Sequence, residues 1–76
     1  MPTNGFWANF ARARKWTIWR TARKLEVTRS TLYRFLRAQF ERLGPAKRRL
    51  LCKIWRIKWT DLRKEILDHE SDRMKP

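Results

Sequence analysis

From residue 6 to residue 43 the sequence contains neither glycine nor proline, and the whole chain of 76 residues holds two glycines and three prolines. The residues that most readily end a helix are therefore confined to Gly5, Gly44 and the prolines at positions 2, 45 and 76. No stretch alternates apolar and polar side chains with the period of a half-buried strand, so no strand is expected. What recurs is helical spacing. Phe6, Phe10 and Ala13 fall at i, i+4 and i+7, with Trp7 beside them, which predicts a helix over residues 6–14. Ile18, Ala22 and Leu25 repeat the spacing over residues 17–26. Thr17 either caps this second helix or is read through, and the pattern permits both.

Leu32, Phe35, Leu36, Phe40 and Leu43 form a stripe that predicts one helix over residues 29–43, with Thr28 as its N-cap. Gly44 suits the left-handed position after that helix, and Pro45 suits the first turn of the next. Leu51, Ile54, Trp55, Leu62 and Ile66 can share one face of a last helix over residues 45–69. Thr60 and Asp61 offer an alternative start for a separate short helix ending near His69. Met1 to Gly5 reads as a polar lead-in and residues 70–76 as a frayed polar tail. The expectation is one all-α domain of three or four short helices, as a small bundle or as extended, partner-dependent helices. It has a helical unit at 6–43 and a further helix at 45–69.

A chain this short buries a modest core and is marginal alone. Its single cysteine, Cys52, rules out an internal disulfide, and with one histidine, His69, it cannot complete a zinc site unaided. No apolar run approaches the roughly 20 residues that cross a bilayer, and no apolar signal-peptide core is visible. Five Trp, four Phe and one Tyr set the chain apart from a disordered basic tail. At least two of the tryptophans are expected in the core, because so small a chain needs them.

Charge narrows the partner. Residues 1–60 hold 16 Lys and Arg against two acids, Glu26 and Glu41, a net of +14. Residues 61–76 hold four basic residues against five acids, a net of −1. A positive field of that density calls for a polyanion. Nucleic acid is the commonest; acidic protein surfaces and anionic lipid are the others. Lipid has the lower weight, because the basic residues spread along the whole chain and not along one polar face. An intracellular location follows as an expectation, with cytoplasm, nucleoid and mitochondrion all compatible. The acids cluster at helical spacing beside Arg63 and Lys64, as on a solvated face, and there is no Gly-rich phosphate loop. No catalytic residue and no cofactor are therefore expected.

Residues 17–36 carry the most information: Ala22 where two crossing helices need a small side chain, Val27 after a turn, Thr28 as a cap, and Leu32 and Phe35 at inward positions. About 20 of the 76 residues here resemble the helix-turn-helix of DNA invertases and resolvases, and the run Thr28-Arg29-Ser30-Thr31-Leu32-Tyr33-Arg34 resembles the opening of that family's recognition helix. The resemblance implies a second helix in the major groove. It implies Arg29, Ser30 and Arg34 at base edges, and Thr31 and Tyr33 on backbone or groove wall. Arg23, Lys24 and Arg37 would be sequence-blind phosphate contacts, with Arg48 and Arg49 as further basic support. Glu26 departs from the pattern. It stands at the turn position usually held by glycine, where the chain needs a positive φ, and it sets a carboxylate near the DNA-facing edge.

Leu32-Tyr33-Arg34 is also the tripeptide of the LYR family of small basic mitochondrial proteins. That resemblance implies an accessory subunit of a respiratory complex whose Tyr33, Arg34 and Arg37 face an acidic acyl carrier protein. A basic helical ribosomal protein threading between RNA segments is a third reading. DNA is the favoured partner, with RNA and an acidic protein as alternatives.

Overall fold

The computed structural model describes residues 3–73 of the chain, and over these it is all-α. Five helices follow one another: α1 (Thr3–Arg12), α2 (Ile18–Leu25), α3 (Arg29–Phe35), α4 (Pro45–Ile54) and α5 (Trp59–Arg73), with a single 3-10 turn at Phe40–Arg42 between α3 and α4. Among the described residues, none is long and apolar enough to cross a membrane.

Five helices stand where three or four were expected, because the chain closes its helices without glycine. Lys15, Glu26, Ala38 and Arg56 all adopt positive φ, between 54° and 71°. In each case the next amide bonds back five residues: Trp16 to Ala11, Val27 to Ala22, Gln39 to Arg34 and Ile57 to Cys52, at 3.0–3.1 Å. The left-handed residue itself bonds back three, as in Glu26 to Arg23 at 3.0 Å. This paired closure satisfies carbonyls that a helix end would otherwise leave open.

These closures settle one open choice and revise three expectations. Residues 15–17 are a break, with Thr17 as the N-cap of α2. The helix expected over 29–43 ends at Phe35, because the closure at Ala38 interrupts it and Phe40–Arg42 continues only as a 3-10 turn. Gly44 therefore has no helix to close. It has φ −71° and is the N-cap of α4, with Pro45 in the first turn as expected. The helix expected over 45–69 is two helices, α4 and α5, parted by the closure at Arg56. α5 starts at Trp59 and runs on to Arg73, so residues 70–73 are helical. Met1, Pro2 and residues 74–76 of the expected lead-in and tail lie outside the described residues.

The core is built from two fully buried tryptophans. Trp7 of α1 and Trp55, just after α4, stack with ring centroids 6.5 Å apart. This shifts the inward stripe of α1 by one residue from the expected one. Trp7 and Ala11 are fully buried, whereas Phe6 is 38 % exposed and Ala13 is exposed. Elsewhere the stripes lie inward as read: Ile18, Ala22 and Leu25 on α2, Leu32, Phe35 and Leu36 on α3, and Leu51, Trp55, Leu62 and Ile66 toward the C-terminus. Each of these leucine, isoleucine and phenylalanine side chains contributes on the order of 2 kcal/mol on burial.

Two polar links fix α2 against α4. Trp55 Nε1 donates to the buried Thr21 Oγ1 at 3.1 Å, and Thr21 Oγ1 donates to the Thr17 carbonyl at 2.7 Å. Lys47 Nζ donates to the Leu25 carbonyl at 2.8 Å, placing a cation at the C-terminus of α2, where the helix dipole favours it. α5 spans the molecule. Trp59 at its start packs edge-on against Phe40, and His69 near its end stacks on Phe6 at 4.1 Å.

Candidate nucleic-acid interface

α3 is held from one side and free on the other. Leu32, Phe35 and Leu36 are fully buried, while Arg29, Ser30, Arg34 and Arg37 are exposed. Its start is fixed by Thr28, whose Oγ1 accepts from the Thr31 amide at 3.1 Å and whose hydroxyl donates to Thr31 Oγ1 at 3.0 Å. Thr31 is thus half-buried and engaged in the cap. Glu26 precedes this cap with φ 60°, the positive value that its turn position calls for. Tyr33 is half-buried beside the exposed face; burial pushes its phenol pKa up, and the Arg29 guanidinium partly opposes this.

Arg37, at the far end of this surface, also lies near the acidic side of α5. Glu70 accepts from Arg73 at 2.6 and 3.3 Å, and this bond holds its carboxyl below the usual carboxylate range. Arg37 and His69 contribute smaller shifts in the same direction.

The remaining expected contacts fall elsewhere. Arg23 and Lys24 of α2 line a depression of about 400 Å³ together with Trp16, Trp19 and Arg20. The Arg23 guanidinium lies 4.9 Å from the Trp19 ring centre and that of Arg20 lies 4.4 Å from Trp16. Arg48 of α4 is half-buried over the Trp59 ring at 4.8 Å, and Arg49 is exposed. The Cys52 thiol, one turn on from Arg48, has its pKa raised by burial, with Arg48 opposing. The ten expected residues thus divide into an α3 surface, an α2 depression and an α4 flank.

Sequence reading missed Trp16, Trp19, Arg20, Lys53 and Arg56 as surface-forming residues. A signal for three of them was present. Trp16 and Arg20, and Trp19 and Arg23, are two tryptophan–arginine pairs at i, i+4, offset by three residues, which puts all four on one helical face. Lys53 and Arg56 come to this region only through tertiary packing. In comparisons with known proteins, the chain matches no family model, no curated protein and no solved structure.

Proposed function

We propose that the chain is a non-catalytic nucleic-acid-binding protein in which α3 reads duplex DNA from the major groove. The observation that carries this reading is the division of α3 into a fully buried apolar side and an exposed side of Arg29, Ser30 and Arg34. A short helix anchored in that way presents its polar side chains at fixed positions, as direct readout requires. The resemblance of residues 17–36 to the invertase and resolvase helix-turn-helix supports the same assignment. So does the net charge of +14 over residues 1–60, which supplies the sequence-independent part of the affinity. Arg29 and Arg34 are the side chains suited to bidentate pairing with guanine, and Ser30 is an adaptable neighbour. Arg37, Arg23 and Lys24 would meet phosphates, and Arg48 and Arg49 would add to the field.

The test is a selection from a random duplex pool, followed by fluorescence anisotropy on winners and losers at several salt concentrations. Arg34→Ala is expected to lose roughly tenfold or more on the preferred sequence and little on others, which flattens the preference. Lys24→Ala is expected to weaken all duplexes alike and to lower the salt slope by about one. A pool that never enriches, or a preference that survives Arg34→Ala intact, overturns the reading.

A further inference from the structure

α2 carries two stripes offset by two residues, and so on opposite sides of the helix. Ile18, Thr21, Ala22 and Leu25 are buried. Trp19, Arg20 and Arg23 form the other stripe, and Trp16, in the joint before α2, meets it through Arg20. Trp19 is 52 % exposed, in a molecule whose Trp7 and Trp55 are fully buried. Its indole does not protrude alone, because Arg23 lies over it and the Arg20–Trp16 pair stands one turn back.

The surface around it is concave and of one sign. Three neighbouring depressions, of about 400, 450 and 540 Å³, all include Trp16 in their walls. Lys24 joins the first two, and Arg56, from beyond α4, joins the second and third. No carboxylate lines any of the three among the described residues, and none of their lining residues comes from α3.

We infer that this face binds a single-stranded stretch of nucleic acid, with an unpaired base stacked on Trp19 and the flanking phosphates on Arg20, Arg23 and Lys24. Exposed aromatics set among cations along a groove are what sequence-tolerant single-strand binding requires: a π-face for each base and a charge for each phosphate. A duplex offers phosphates but keeps its bases stacked within the helix. An acidic protein surface offers carboxylates but needs no planar partner beside them. The inference goes beyond the duplex reading: the two share Arg23 and Lys24 as phosphate contacts, but stacking on Trp19 has no part in the duplex reading and α3 has no part in this one.

The experiment titrates the full chain into labelled thymidine 12-mer and into an abasic 12-mer with the same phosphates, at matched salt. The thymidine strand is expected to bind roughly tenfold tighter, the size of one base–aromatic stack. Trp19→Ala is expected to abolish that difference and leave the abasic affinity unchanged, whereas Trp19→Phe keeps most of it. Thermal melts of both variants should match the parent, because Trp19 lies outside the core. Equal affinity for the two strands, or a thymidine affinity untouched by Trp19→Ala, overturns the inference. So does tight, Trp19-dependent binding to vesicles containing phosphatidylglycerol with no preference for thymidine over abasic strands. Arg34→Ala, run alongside, separates the two readings. It is expected to leave single-strand binding unchanged, and a duplex preference can survive when the stacking difference fails.

Discussion

The joint between α1 and α2 and the joint between α2 and α3 have the same backbone and different surroundings. Lys15-Trp16-Thr17 and Glu26-Val27-Thr28 each run from a left-handed residue (φ 68° and 60°) through an apolar residue to a capping threonine. The closing bonds are 3.0 Å in both, and the caps accept from Arg20 and Thr31 at 3.0 and 3.1 Å. Around the first joint, Trp16 packs partly on the core with the Arg20 guanidinium over its ring, and the Thr17 carbonyl is tied through Thr21 to Trp55. Around the second, Val27 packs against the core and the cap is completed locally by Thr28 and Thr31. The turn that resembles a DNA-binding motif is thus one instance of a closure that occurs four times among the described residues. What distinguishes its regions is the set of side chains each joint leaves exposed.

The strongest test of that contrast is Trp55→Ala, because Trp55 couples the first joint to the rest of the fold. The substitution removes the stack on Trp7, the contact with Phe10 at 5.6 Å and the bond to Thr21. A buried tryptophan truncated to alanine costs on the order of 3–5 kcal/mol. In a domain this small that is most of the stability, so loss of the cooperative melt by circular dichroism is expected. Thr21→Val should cost less, about 1–3 kcal/mol, since it removes only the hydroxyl partner of the indole and of the Thr17 carbonyl. A Trp55→Ala variant that melts like the parent would show that the first joint is as locally determined as the second.

The asymmetry between local and tertiary determination also explains what the sequence discloses. The caps at Thr17 and Thr28, the inward positions of α2 and α3 and the role of Pro45 depend on neighbours within one or two turns. They can be read from spacing and hydroxyl chemistry. The register of α1 depends on Trp55, more than forty residues away, so Phe6 and Trp7 compete on equal local terms and packing chooses Trp7. The closures at Lys15, Ala38 and Arg56 carry no glycine to announce them, which is why the stripe over residues 29–43 reads as one helix and folds as two pieces. The α3 surface was readable as a contiguous segment. The Trp16 face was readable only in its α2 half.

The caps come next in size. Thr17→Ala and Thr28→Ala each remove a side-chain acceptor from a first-turn amide, for about 1 kcal/mol apiece. Urea denaturation should show similar losses, with the denaturant slope unchanged. Their effects on binding should differ. Thr28→Ala loosens the start of α3 and is expected to weaken duplex preference, whereas Thr17→Ala is expected to leave it intact. Equal effects of the two on duplex preference would detach that preference from the start of α3.

The smallest and sharpest test replaces the left-handed residues themselves. Lys15→Gly and Glu26→Gly remove the same steric penalty, about 1 kcal/mol before the extra freedom of glycine in the unfolded chain is subtracted. Melts should therefore rise slightly and by similar amounts, because the two backbones are alike. The electrostatic consequences are opposite. Glu26→Gly removes one of the two carboxylates in residues 1–60, at the edge of α3, and should strengthen duplex binding with a steeper salt dependence. Lys15→Gly removes a cation from the wall of the 540 Å³ depression and should weaken single-strand binding. Unequal stability gains would mean that the surroundings strain one joint and relax the other. Equal gains with opposite shifts in affinity would separate what the backbone does at these joints from what the side chains do.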